Sequence, residues 1–295
     1  MLSRFAKNKQ LMNTSFSVKL TASLLLCLVL GACSTKMAYN YLDWILEWYV
    51  SDLVSLTEDQ EWQFRRALAK QLDWHRKQQL PLYVKSLDDL RKAINSDLSV
   101  DALQQIYNEQ QNGLEELIKQ ITPPMSQLLS TLSDSQVEQL LESLEEQNEE
   151  LEEDYVKKPA EELVEQRAER IIDRAENWVG TLSDSQIQLI ENWSRQIRPT
   201  AEQWIANRRA WQERLGSELR NHRHEENFNQ HIEDLFVYSD KSWPSNYRVD
   251  FNYNRNLAMN MLVDLEKTLS DRQRQHLFDE IAVLRKQLNE LHQQN

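Results

Sequence analysis

Four times the chain places a leucine, a hydroxyl residue, two polar residues and a glutamine in a row. The copies are Leu56-Thr57-Glu58-Asp59-Gln60, Leu132-Ser133-Asp134-Ser135-Gln136, Leu182-Ser183-Asp184-Ser185-Gln186 and Leu269-Ser270-Asp271-Arg272-Gln273. Each reads as a capping box. The hydroxyl of Thr57, Ser133, Ser183 or Ser270 accepts the N–H three residues on, and Gln60, Gln136, Gln186 or Gln273 reaches back to the cap's own N–H. A helix start leaves four backbone donors without partners, so a box that satisfies two of them marks where a helix begins. The acids that follow each hydroxyl also favour the positive end of the helix dipole. The preceding leucine can staple onto Val137 or Ile187 in two copies; Glu61 and Arg274 stand at that place in the others.

The spacing of apolar residues agrees with four helix starts. Leu277, Ile281, Leu284, Leu288 and Leu291 step by 4, 3, 4 and 3, a narrow stripe with a period near 3.5. Leu103, Ile106, Gln110, Leu114, Leu117 and Ile121 repeat it with one polar interruption, as do Val137, Leu140, Leu144, Leu151 and Tyr155. No stretch alternates with period two, so no sheet is expected. Pro81, Pro123, Pro159 and Pro199 suit the first turn of a following helix and predict breaks there. The helices then fall near 40–53, 58–79, 82–94, 100–121, 134–156, 160–179, 184–197, 200–221, 227–237, 250–267 and 271–292. Tyr238 to Arg248 reads as a surface loop. The expected fold is all-α: an antiparallel bundle of ten or eleven helices, compact or elongated, as one body or as two sub-bundles divided near 156–160.

At the other end of the chain, Arg4, Lys7, Lys9 and Lys19 lead into an apolar run from Leu20 to Leu30, then Leu30-Gly31-Ala32-Cys33. Basic, apolar and small-residue regions in that order make residues 1–32 a signal peptide, cleaved between Ala32 and Cys33. Eleven apolar residues are too few for a span, which needs about 20. Residues 33–38 are then a lipidated N-terminus and tether, and 39–295 a helical domain. Cys27 leaves with the leader and Cys33 is left without a second cysteine, so no disulfide holds the fold. A core of its own must do so, and 263 residues suffice for one.

The formal net charge is −13, and −17 without the four basic residues of the leader. Asp97 to Asp154 holds fifteen acids against Lys119 alone. Nucleic acid is excluded as a partner, since phosphate binding needs a positive surface. The run Glu142 to Asp154 reads as a solvated helix face, because a helix displays carboxylates without folding them round a cation. Arg167, Arg170, Arg174, Arg195, Arg198, Arg208 and Arg209 read as partners for the acidic half. His222, His224 and His231 do not complete a zincin motif, with Phe228 where the second histidine belongs, and no histidine follows a glutamate by three, so no metal site is expected. His75 reads as a packed or surface residue. No catalytic site is expected either: Gly-x-Ser-x-Gly, the P-loop and Gly-x-Gly-x-x-Gly are absent, and no thiol is left to attack.

Leu-Gly-Ala-Cys with its leader resembles bacterial lipoproteins, which implies a diacylglyceryl thioether on Cys33 and a further acyl chain, palmitate, on its amine. Ser34 after the cysteine is similar to the pattern sorted to the outer membrane. Tyr39-Asn40-Tyr41-Leu42-Asp43-Trp44, Trp48-Tyr49, Leu56-Thr57 with Gln60, Trp74-His75-Arg76 and Leu80-Pro81 with Tyr83 resemble an uncharacterised family of Gram-negative lipoproteins. That resemblance implies address and helicity without an activity. The four boxes are also similar to the Leu-Thr-x-x-Gln motif of Spy-type periplasmic chaperones. Tyr39, Tyr41, Trp44, Trp48 and Tyr49 close to the anchor offer either a membrane contact or a core-facing stripe with Leu42, Ile45 and Leu53. The absence of Lys and Arg from Met37 to Gln63 favours the core. The expected protein is a non-catalytic, cofactor-free lipoprotein facing the periplasm, held to the membrane by its acyl chains and acting as a scaffold or module for a protein partner. Its alternatives are a holdase-like chaperone, which would suppress client aggregation, and a peptidoglycan-acting enzyme, whose Gly-Leu-Met-Gln segment has no counterpart here.

Overall fold

The computed structural model describes residues 32–237 and 243–294. The expected leader lies outside the described residues except for Ala32. Among the described residues there are eleven helices and no strand. They are α1 (Ala32–Asn40), α2 (Leu42–Leu53), α3 (Glu58–Asn95), α4 (Val100–Ser130), α5 (Asp134–Tyr155), α6 (Ala160–Val179), α7 (Asp184–Gln196), α8 (Ala201–Asn221), α9 (Phe228–Val237), α10 (Ser245–Lys267) and α11 (Asp271–His292). Residues 33–38, expected as a tether, are helical within α1.

All four boxes form in full, at the starts of α3, α5, α7 and α11. They also meet in pairs. Gln60 and Gln136 exchange amide hydrogen bonds at 3.2 and 2.7 Å, and Gln186 and Gln273 do so at 3.1 and 2.9 Å. In each glutamine Oε1 accepts its own cap N–H, at 2.9–3.0 Å. Its Nε2 crosses to a carbonyl two residues before the partner's cap: Gln60 to Thr131 at 2.9 Å, Gln136 to Ser55 at 2.7 Å, Gln186 to Thr268 at 3.1 Å and Gln273 to Thr181 at 3.0 Å. One junction therefore ties the α2–α3 turn to the α4–α5 turn, and the other ties α6–α7 to α10–α11.

Between the junctions run leucine seams. Leu80, Leu87 and Ile94 of α3 pack on Ile281, Leu284, Leu288 and Leu291 of α11. Arg285 meets Asp88 at 2.8 Å while His292 meets the Arg76 carbonyl at 3.1 Å, so the two helices run antiparallel. The same α11 contacts α6, so it touches helices from both sides of 156–160. A second core joins α2, α4, α5, α8 and α9 through Val54, Leu132, Val137, Leu140, Leu219, Phe228 and Ile232. The stripe expected on α4 is only half-buried; its fully covered positions are the small ones, Gly113, Thr122 and Ser126. Gly180, closing α6, has φ +77° and ψ −166°, a conformation essentially reserved to glycine.

Two expected breaks do not occur. Pro81 lies inside α3, and Pro123 and Pro124 lie inside α4. A proline inside a helix costs about 3 kcal/mol. Burial on both sides outweighs it: Leu80 and Leu87 flank Pro81 in the α11 seam, and Ile118, Met125 and Leu129 flank Pro123 against the Phe228 core. Each such side chain contributes about 1.5–3 kcal/mol when fully buried and less when part-buried. Pro159 instead stands just before α6, and Pro199 precedes Thr200, the N-cap of α8. The stretch expected as a loop is shorter than Tyr238 to Arg248, because α10 starts at Ser245 behind Pro244. Tyr247 is buried there beside Trp243, ring centroids 4.9 Å apart, while 238–242 lie outside the described residues.

Replacing Gln60 or Gln186 by leucine strands a cap N–H, a turn carbonyl and the partner amide at once. Urea unfolding should show a loss of about 2 kcal/mol or more for either variant, whereas Gln104→Ala, a half-exposed residue whose one side-chain bond faces solvent, should stay within about 0.5 kcal/mol of the parent.

Candidate functional site

The N-terminal helices present two unlike faces. Only Tyr41 separates α1 from α2, and its N–H reaches the Met37 carbonyl at 3.2 Å while its own carbonyl accepts from Ile45 at 2.9 Å, so the helical path barely interrupts. One face is clamped. Lys36 pairs with Glu290 of α11 at 2.7 Å, Thr35 is buried, and the Tyr39 hydroxyl meets Nδ1 of His75 at 3.0 Å. Further along, Val50 and Leu53 pack against the Val54 core.

The other face is open. Met37, Tyr41, Trp44 and Trp48, spaced 4, 3 and 4 residues apart, are 64, 59, 62 and 40% exposed. Such a spacing forms one stripe on a helix. This corrects the expectation of core packing for part of the aromatic cluster: Tyr41, Trp44 and Trp48 turn outward, whereas Tyr39 packs against the α3–α11 core and Leu42, Ile45, Tyr49 and Leu53 are half-buried on a helix α2 that holds no buried residue. Both stripes exist, on opposite sides of the same helix. Beside Trp44 and Trp48 lies a cleft of about 250 Å³ against the start of α3, with Val54 and Phe64 in its wall. Glu47 and Arg65 close an ion pair across it at 3.1 Å. Asp43 and Asp52 flank the stripe without a cation on the same helix.

Of the site residues expected from the sequence, Cys33 falls in α1, one helical turn ahead of Met37; Ala32 is the first described residue. The hydroxyls and glutamines of the four boxes are all spent inside the fold, as described above. Three arginines of α8 find acids or an amide on α5: Arg209 holds Glu145 and Glu152 at 2.7 and 3.1 Å, Arg220 holds Glu138 at 2.6 Å, and Arg208 reaches Gln147 at 3.0 Å. Arg198 pairs with Asp250 at 2.9 Å, and Arg167 donates to the Ser194 carbonyl at 2.9 Å. The acidic run is thus a partly paired face rather than a purely solvated one.

His75 sits between two phenols, with Tyr39 on Nδ1 and the Tyr83 hydroxyl 3.3 Å from Nε2. Burial, then the neighbouring Arg76 charge, pull it from 6.5 down to about 4. It is a neutral clamp that docks α1 onto α3. Glu218, His222 and His231, at the α8–α9 corner, also come together, with one ligating atom from each within 4.8 Å of the others. The sequence reading reaches the two histidines and not Glu218. The available signal was Glu218 four residues before His222, one helical turn, rather than three.

A family described as a family of unknown function (DUF6279) matches residues 52–248, a stretch that contains three of the boxes and begins just after the aromatic stripe. No curated protein and no solved structure matches the chain.

The clamp makes stability depend on pH. His75 is depressed in the fold, so between about pH 6.5 and pH 4 the unfolded chain binds a proton that the folded chain refuses. Stability therefore falls as pH falls through that window, by up to about 3 kcal/mol. His222, raised by the Glu225 hydrogen bond, works in the opposite direction. Urea midpoints compared between about pH 7 and pH 5 should show a drop that is smaller in His75→Gln.

Proposed function

We propose, for a chain that belongs to the DUF6279 family of unknown function, a non-catalytic lipoprotein on the periplasmic face of the outer membrane. Its acyl chains sit on Cys33, its aromatic stripe rests at the lipid headgroups, and its helical body serves as a scaffold for a protein partner. The observation that carries this reading is register. Cys33, Met37, Tyr41, Trp44 and Trp48 follow one another at 4, 4, 3 and 4 residues along a nearly continuous helix. The residue to be lipid-modified then stands one helical turn ahead of four exposed apolar or amphipathic ones that share one line.

Physical chemistry supports lipid as the occupant of that line. Tryptophan and tyrosine favour the membrane–water boundary, where an apolar ring and a polar tip are both accommodated. Asp43, Glu47 and Asp52, with no cation until Arg65, disfavour anionic headgroups and suit zwitterionic ones. Since the opposite face of α1 is held by Glu290 and His75, the anchor is attached to the body rather than to a slack tether. The body's orientation to the membrane follows. A helix of 38 residues such as α3 is about 57 Å long, so the body is large enough to present a surface well beyond the lipid headgroups. The four boxes give no support to client binding, because their glutamines are consumed within the fold.

Labelled palmitate should enter the parent and not Cys33→Ala, and globomycin should accumulate the precursor. In vesicles of brominated phosphatidylcholine the lipidated parent should lose tryptophan fluorescence, and the double variant Trp44→Phe with Trp48→Phe should lose much less. An unlabelled Cys33 would remove the anchor, and equal quenching in parent and variant would remove the stripe's membrane contact. Crosslinking in living cells followed by partner identification tests the scaffold role.

A further inference from the structure

We propose that Glu218, His222 and His231 form a binding site for a borderline divalent transition-metal cation, zinc first among them. Helix α8 ends at Asn221 and the chain turns into α9 at Phe228. Glu218 and His222 lie one turn apart at the end of α8, and His231 comes from the first turn of α9. One carboxylate oxygen and one nitrogen of each ring lie within 4.8 Å of one another. The two rings stand with centroids 5.5 Å apart and planes at 76°. Two imidazoles bound to one tetrahedral ion through bonds of about 2.1 Å have centroids about 5 Å apart. The rings are therefore already spaced as ligands, and side chains that are 27–38% exposed can close the remaining gap by small rotations.

The surroundings are arranged for the same purpose. His231 Nδ1 lies 2.8 Å from Glu218 Oε2, His222 Nδ1 lies 3.0 Å from Glu225 Oε1, and the Asn227 amide lies 3.0 Å from His231 Nε2. Glu225 accepts the His222 Nδ1–H and leaves Nε2 for an ion; the Glu218–His231 Nδ1 hydrogen bond is the contact that an ion replaces, and the Asn227 side chain, turned to present its oxygen, accepts the His231 Nε2–H. Nearby cations are already taken: Arg220 by Glu138, and Arg223 by Asp134. The corner keeps a local excess of Glu218, Glu225 and Glu226, which draws positive charge. Mixed imidazole and carboxylate donors select zinc, copper or nickel over calcium and magnesium, which take oxygen ligands alone.

An ion here would fasten the α8–α9 corner beside the first glutamine junction. Arg223, next in sequence to His222, is buried and donates to the Leu132 carbonyl at 3.1 Å, within the turn that carries Gln136. The measurement is a titration of the full chain, free of any histidine tag and stripped by chelator, with Co²⁺ and then Zn²⁺. One equivalent of Co²⁺ should give the visible absorption of a four- or five-coordinate site, Zn²⁺ should displace it, and thermal unfolding should move upward with metal. His222→Gln and His231→Gln should each weaken binding tenfold or more and remove the thermal shift, and His224→Gln, at an exposed neighbour, should change neither. Circular dichroism verifies that each variant keeps its helices, with Glu218→Gln as a further test of the carboxylate. Undiminished binding in the two histidine variants, or only the spectrum of hydrated Co²⁺ at saturation, would overturn the site.

Discussion

Each helix start must find partners for donors that its own backbone cannot satisfy, and here one amide group serves both that need and the joining of distant turns. The oxygen of each box glutamine closes its own cap, and its nitrogen crosses to a carbonyl in the paired turn. Gln60, Gln136 and Gln186 are buried, where a fully satisfied polar network favours one arrangement strongly because any other leaves groups unpaired. Four helix termini meet at each junction. Because α3 and α11 run antiparallel, the junctions stand toward opposite ends of α3. The seam contributes apolar burial without direction, and the glutamines supply register.

Charge is distributed under the same frame. The acids of α5 face the arginines of α8, so the most negative stretch of sequence is partly neutralised inside the molecule. Exposed pairs of this kind contribute little to stability. Their consequence is positional: Arg208 and Arg209 are engaged with α5, and Arg220 and Arg223 are turned to Glu138 and Asp134. The aromatic stripe is the complementary case. It is left uncovered because the other side of the same helix is already committed to Glu290, His75 and the Val54 core.

The legible parts of the fold were those decided by residues close in sequence. Ser270 and Gln273 find each other across one turn of backbone, and Ile281, Leu284, Leu288 and Leu291 share a face whatever they pack against. Pro81 and Pro123 misled because their local cost is real, but Leu80 and Ile118 bury against helices more than a hundred residues away in the chain. Tyr41, Trp44 and Trp48 misled for a related reason: a helix with two apolar stripes can bury only one, and its neighbours choose which. Glu218 is not legible from the Glu-x-x-His spacing because it stands four residues before His222, and His231 joins it only through the α8–α9 corner.

Composition, spacing and the four boxes by themselves determined that the chain is helical, where most helices begin, and which face of α11 is apolar, since capping and periodicity act within a few residues. Tertiary structure alone decided that Gln60 meets Gln136 and Gln186 meets Gln273, that two helices run through their prolines, that the tryptophans beside Cys33 face outward, and that Glu218 joins His222 and His231. Those outcomes depend on contacts between segments far apart in the chain, and the burial and pairing energies that settle them exceed any local preference.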